Sequence, residues 1–356
     1  MKKQIFAVLA AVIMLASALT SCGTPRPDAN SRVFTDSAGR EVLIPKDVTR
    51  VAPSGAVATM FLSTIAPEYM VSVASTPSSA QYKYMPKELM TLPTTGQMYG
   101  SKSTINLEAL LDAEPQLIID LGDKKDGIAK DMDRLQKQTG IPVVFIEADL
   151  DDMAAAYRSL GAILSDKAVR GEEIAVLIDE TVTMATENSA KIPEAERISV
   201  MYTSGTTGLA TNAQGSTQAQ VLPLIGAKNA IVVDEVSDRG GGNIISMEQL
   251  YNFDPEVIIF ATGSVYDTAG SERIWQELSA VKNGRYYEIP GMPYNWMSSP
   301  PSINMILGIW WLGNLLYPEV YSYNIAEKAT ECFRVFWQYE LSAEEAAEML
   351  ANSSLK

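Results

Sequence analysis

Any chemistry in this chain is done without imidazole, because none of its 356 residues is histidine. That removes the commonest metal ligand, proton shuttle and triad base together. Serine-triad hydrolases, His-ligated zinc enzymes and His-based capture of bare zinc or manganese all lose their central residue. Tyr99, Tyr202, Tyr294 and Trp296 offer flat amphipathic surfaces suited to walling a chelate or macrocycle, and a phenolate can ligate ferric iron directly. Ser54, Gly55, Ser204, Thr206, Thr207 and Asn243 sit in short Gly/Ser/Thr-rich strings. Together with Arg239 they would equally suit a small oxyanion, held by backbone N–H groups and a bidentate guanidinium.

These residues need elements to position them, and the hydropathy pattern supplies a repeating one. From Val33 the chain reads strand, turn, strand, and then alternates helix and strand, with strands predicted at 50–52, 70–73, 116–119 and 141–145. Helices are predicted through 65, over 106–111 and over 130–139. Strand signals then stop. Ile174, Leu177, Ile178, Val182 and Ala185 recur at spacings of three and four, which makes one long amphipathic helix over about 165–189. At ~1.5 Å per residue it spans roughly 36 Å, about the width of a domain. Alternation resumes with strands at 197–202, 230–233, 255–260 and 285–289, and helices at 217–224, 247–251, 275–278 and 302–316, with terminal helices from about 326.

The expected fold class is therefore α/β: two α/β lobes, 33–150 and 193–356, joined through connecting helices at 151–192 by a single long helix. The candidate residues fall in loops after strands, namely 53–55, 75–76, 97–99 and 120–122 in the first lobe. In the second they fall at 203–207, 239–243, 262–263 and 292–296. In open α/β sheets such loops line the ligand crevice, so the cleft is expected between the lobes.

The N-terminus predicts where the protein resides. Lys2 and Lys3 precede an apolar stretch from 5 to 19, too short to span a bilayer, and the chain then reads Leu19-Thr20-Ser21-Cys22-Gly23. This string resembles a bacterial lipobox, which implies a signal peptide over 1–21, lipid on Cys22 and a polar tether over 22–32. The expected location is the outer face of the cytoplasmic membrane, or the periplasm, with the protein exported and lipid-anchored. Once Cys22 is acylated, Cys332 has no intrachain partner and the fold rests on its core. A formal charge of −15, with no cluster of Lys and Arg, excludes nucleic acid as a partner.

Two further resemblances differ in extent. Tyr202-Thr203-Ser204-Gly205-Thr206-Thr207-Gly208 resembles the phosphate loop of acyl-adenylate-forming enzymes, but Leu209, Ala210 and Thr211 stand where that family has Pro-Lys-Gly. The match is read as coincidence between two loops that both need small residues and free backbone N–H groups. The second resemblance covers nearly the whole mature chain. Val33-Phe34-Thr35-Asp36-Ser37-Ala38-Gly39-Arg40, Ile245-Ser246-Met247-Glu248-Gln249-Leu250 and Asp254-Pro255-Glu256-Val257-Ile258-Ile259 are similar to substrate-binding proteins that serve ABC importers of iron-siderophores, haem and cobalamin. The resemblance implies a non-catalytic, monomeric binding protein with no intrinsic cofactor, working with a permease dimer and its cytoplasmic ATPase. It also implies docking through one surface glutamate per lobe, at Glu108 and Glu248. A ferric-siderophore or related iron complex is the expected ligand. Trp296-Met297-Ser298-Ser299-Pro300-Pro301 with Trp310-Trp311 resembles a branch that includes molybdate and tungstate binders, and cobalamin or haem is a third alternative. The paired tryptophans have helical spacing and read as core packing.

Overall fold

The computed structural model of the protein describes residues 27–100, 103–237, 241–297 and 300–354. Strands β1 (Ser31–Thr35) and β2 (Glu41–Pro45) pair antiparallel as the N-terminal hairpin. Its turn explains the Asp36-x-x-Gly39-Arg40 spacing. Gly39 adopts φ +79°, and one Asp36 oxygen accepts from the backbone N–H of Ala38 at 3.0 Å and of Arg40 at 2.9 Å. The other oxygen meets the Arg40 guanidinium at 2.8 Å and the Phe145 N–H at 3.2 Å, so a buried ion pair ties the hairpin to the first lobe.

That lobe holds β3 (Val51–Pro53), α1 (Ala56–Ile65), α2 (Ser79–Tyr82), α3 (Leu107–Asp112), β4 (Leu117–Gly122), α4 (Ile128–Thr139) and β5 (Val143–Glu147). The strands form a parallel sheet in the order β3-β4-β5, with Ala52 opposite Ile118 and Ile118 opposite Val143. Helices cover both faces of a parallel sheet, so its strands read as unbroken apolar runs. Asp120, in the middle of β4 and 2% exposed, is the exception. The segment predicted as a strand at 70–73 makes only single bridges, Met70 to Val51 and Val73 to Thr94.

Helices α5 (Met153–Ile163) and α6 (Ala168–Ser189) form the connector. The long helix has 22 residues, about 33 Å. Gly171 lets it approach α5 closely, since a Cβ there would lie 2.6 Å from the Tyr157 carbonyl oxygen. Near its start, Arg170 donates to the Thr64 and Phe336 carbonyls.

The second lobe contains β6 (Ser199–Ser204), β7 (Ala210–Thr211), α7 (Val221–Leu224), β8 (Lys228–Asn229), β9 (Asn243–Ile244), α8 (Met247–Phe253) and β10 (Val257–Phe260). It continues with α9 (Tyr266–Ala269), α10 (Arg273–Gln276), α11 (Ser279–Lys282), β11 (Tyr286–Glu288) and α12 (Asn304–Leu316). The sheet is mixed, in the order β11-β10-β6-β7-β9, with β8 beside β6. Residues 230–233 are not a strand, contrary to their β-branched composition. β7 already occupies the β6 edge at Thr203 and Ser204, and β8 pairs with β6 only at Ser199 and Val200. The predicted helix over 217–224 is a 3₁₀ turn, Thr217–Ala219, followed by α7.

α12 seats the second lobe on the connector: the Trp310 indole donates to Thr181 Oγ1 at 3.0 Å, and Trp310 and Trp311 are both buried, as their spacing predicted. Helices α13 (Ile325–Trp337) and α14 (Ala343–Met349) then reach back to the first lobe. Phe333 and Tyr339 pack edge-on against Tyr84, and Glu345 pairs with Lys83 at 2.8 Å. The chain end returns once more, where Trp311 donates to the Ser353 carbonyl at 2.6 Å and Ser353 donates to that of Glu288 at 2.5 Å. The terminal helices thus bind to both lobes rather than to the second alone. One apolar cluster runs through the whole assembly from Val42 to Leu350.

Candidate ligand-binding cleft

The lobes meet beyond the carboxyl end of β4. Thr217 donates through Oγ1 to Asp123 Oδ2 at 2.8 Å, a side-chain hydrogen bond from the second lobe to the loop that follows β4. Tyr82 of the first lobe and Tyr294 of the second also lie within electrostatic range of one another.

On the first-lobe side the central group is Asp120. One carboxylate oxygen accepts from Ser54 Oγ, and the other accepts from the Tyr99 hydroxyl at 2.7 Å. Ser54 stands at the end of β3, and its carbonyl accepts from the Met98 N–H at 2.8 Å, which fixes the loop carrying Tyr99. Gly55 follows Ser54, with the end of the Gln97 side chain packed against its Cα. Burial pushes the Asp120 carboxyl up to about 6, opposed by the Ser54 and Tyr99 hydroxyls that favour its charge. Tyr99 is pushed far above the ordinary phenol range, first by burial and then by the adjacent Asp120.

On the second-lobe side Tyr202 is buried, and its hydroxyl accepts from Asn295 Nδ2 at 3.0 Å. Burial pushes Tyr294 up to about 12. Tyr99 and Tyr294 thus carry their protons at neutral pH. The Tyr99 O–H is already donated to Asp120.

Trp296 does not stand where its sequence reading put it. It is fully buried, its indole donates to the Met292 carbonyl at 2.9 Å, and it forms interior packing rather than a wall of the cleft. The loop 203–208 is a tight hairpin turn between β6 and β7. Thr203 Oγ1 donates to the Gly208 carbonyl at 2.5 Å, Ser204 Oγ to the Ala210 carbonyl at 3.3 Å, and Thr206 and Thr207 are exposed. Gly208 takes φ +65°, where a Cβ would strike Val265 and Trp275. Turn chemistry accounts for the resemblance to a phosphate loop. The Asn243 amide closes its own loop, donating to the Glu235 carbonyl at 2.7 Å and accepting from the Ser237 N–H at 3.0 Å.

The relatives fit this architecture. Residues 51–293 match the family model described as periplasmic binding protein. A solved structure, an ABC transporter solute binding protein from Sulfurospirillum deleyianum DSM 6946, is 30% identical with a TM-score of 0.81 over 90% of this chain and 99% of that one. The chain belongs to the periplasmic binding protein family. Among curated members, the Fe(3+)-citrate-binding protein YfmC of Bacillus subtilis (strain 168) is 22% identical over 53% of this chain and 58% of its own length. The vitamin B12-binding protein of Pectobacterium carotovorum subsp. carotovorum (strain PC1) is 29% identical over 52% of this chain and 64% of its own. The chain thus spans less than two thirds of each of these two relatives.

In this periplasmic binding protein, Glu108 and Glu248 are exposed in the first turns of α3 and α8. Asn106 caps α3 by accepting from the Ala109 N–H at 3.1 Å, and Ser246 with Gln249 forms a capping box on α8. Cys22 and Arg239 lie outside the described residues. Asp120 was named from sequence only within a cleft loop at 120–122, which the structure makes the end of β4, and Asp123 was not named. The signal for Asp120 was a carboxylate inside the apolar run Leu117-Ile118-Ile119-Asp120-Leu121, where an unpaired charge is costly.

Proposed function

We propose that the protein is an extracytoplasmic solute-binding lipoprotein, held by lipid on Cys22, which captures a ferric-siderophore or related iron complex and delivers it to an ABC importer. The reading starts from the Asp120-Tyr99-Ser54 cluster on β4, with Asp123 in the loop that follows and bonded to Thr217 of the second lobe. Carboxylates in this region favour a neutral or cationic chelate over a small oxyanion. Protonated phenols cannot compete for bare ferric iron without losing a proton, but they suit a chelate whose metal already has its own oxygen ligands. The curated relatives named for ferric citrate and vitamin B12 support a metal-bearing small molecule. Glu108 and Glu248 are the proposed contacts with arginines of the permease dimer, and the lipid keeps the receptor concentrated beside it.

A melting-temperature panel tests this reading. Mature protein is titrated with ferric hydroxamate and catecholate chelates, ferric citrate, cyanocobalamin, haem, molybdate and tungstate. An iron chelate at 100 times its Kd raises stability by about 2.7 kcal/mol and adds a visible charge-transfer band. A shift with molybdate or tungstate alone, or with none of the panel, refutes the iron reading.

A further inference from the structure

We infer that the permease-docking surface is a paired patch, one on each lobe, in which a large exposed apolar side chain one helical turn after the docking glutamate makes the main contact. This inference rests on the docking reading of Glu108 and Glu248 above and adds the residues that supply its affinity. Helices α3 and α8 repeat one arrangement. Each is capped by a side chain that accepts from the third backbone N–H, and each carries an exposed glutamate at its second position. Three residues on, Leu111 is 46% exposed and Tyr251 is 39% exposed. Residues at i and i+3 share a helix face, so the acid and the apolar side chain point outward together.

The surroundings extend both patches. The Tyr251 hydroxyl donates to the Ile274 carbonyl at 2.7 Å, setting Tyr251 beside Ile274, itself 50% exposed. Beside α3 lies a groove of about 590 Å³ whose lining includes Val71, Leu92, Pro93, Ala109 and Asp112, together with Arg50 and Glu68. Met90, just before this lining, is 54% exposed. Large apolar side chains at such exposure mark contact surfaces when they cluster with other binding groups, and Leu111 and Tyr251 each stand one helical turn from a docking glutamate. The partner that fits is a membrane protein with two-fold symmetry that presents a basic group beside an apolar pocket twice, once to each lobe. Charge complementarity supports it: Glu108, Asp112 and Glu248 are exposed acids on a chain of net charge −15. The apolar anchor supplies affinity while the glutamate supplies orientation and encounter rate.

The test uses full-length mature protein and its permease–ATPase complex in proteoliposomes, reading the concentration that half-maximally stimulates ATP hydrolysis. Leu111→Ser and Tyr251→Ser are each expected to raise that concentration about 10-fold, and the double variant about 100-fold, with melting temperatures unchanged. Val169→Ser, 84% exposed on the connector helix, is the control and leaves it unaltered. If both serine variants stimulate like the parent while Glu108→Arg with Glu248→Arg abolishes stimulation, the apolar anchors are refuted and glutamate docking survives. If the glutamate reversals are also silent, the docking reading itself fails. A concentration-dependent dimer in sedimentation that Leu111→Ser dissolves would assign the patch to a second copy of this chain and overturn the proposal.

Discussion

Asp120 concentrates most of what single residues contribute to this site. Its folded-state carboxyl, at about 6, lies above the ordinary value of 3.8. The folded protein therefore holds the proton more tightly than the unfolded chain. Stability is expected to rise as pH falls from about 7 through 6 toward 4, and to be lower above pH 7, where the buried group is ionised. About two pK units correspond to roughly 3 kcal/mol at most. Asp120→Asn, which keeps an acceptor for Ser54, is predicted to flatten that part of the pH–stability curve in urea unfolding at pH 4.5, 6 and 7.5. An unchanged slope would show that another group titrates there. Asp36 is a buried carboxylate with a cation, Arg40, and backbone donors around it. Asp36→Ala leaves Arg40 with only the exposed Asp133 as an ionic partner, strands the Phe145 N–H, and is expected to cost about 1–3 kcal/mol in urea unfolding. The residue scale is also where sequence alone was least sufficient. Ser54, Thr203 and Asn243 have the types expected of ligand contacts, yet they hydrogen-bond to groups of the protein itself. A hydroxyl's type does not say which way it points; that depends on partners supplied by distant segments, such as Asp120 for Ser54.

Elements were more legible because their signals are local and periodic. The strands β3, β4, β5, β6 and β10 coincide with apolar β-branched runs, and the long helix starts three residues inside its predicted bound. Failures came where a strand's existence depends on an unoccupied edge, as at 230–233, where β7 already occupies part of the β6 edge. The close crossing of α5 and α6 yields a prediction against simple helix propensity. Gly→Ala inside a helix ordinarily gains up to about 1 kcal/mol. At Gly171 the added Cβ would meet the Tyr157 backbone oxygen at 2.6 Å, so Gly171→Ala is expected to destabilise by about 1–3 kcal/mol in denaturant unfolding. A gain would mean that the two helices can separate without cost.

For the molecule as a whole, the long helix and the returning terminal helices argue for a stiff receptor. α6 is fixed near its start through Arg170 to Thr64 and Phe336, and further along through Thr181 and Ala185 to Trp310 and Tyr321. Removing residues 340–356 deletes the Lys83–Glu345 pair and the bonds of Ser353 to Trp311 and Glu288, a tie to each lobe. Hydrogen exchange is expected to quicken around both Tyr84 and Tyr287 in that truncation, whereas quickening in one lobe alone would show that the tail does not couple them. Such stiffness suits a largely preformed crevice that closes modestly on its cargo. The central claim is that this crevice carries an iron chelate. Native mass spectrometry of freshly purified mature protein tests it most directly: the account predicts one added mass per chain equal to an iron-containing small molecule, lost on gentle activation. An added mass of molybdate or tungstate, or of an iron-free solute, would contradict it.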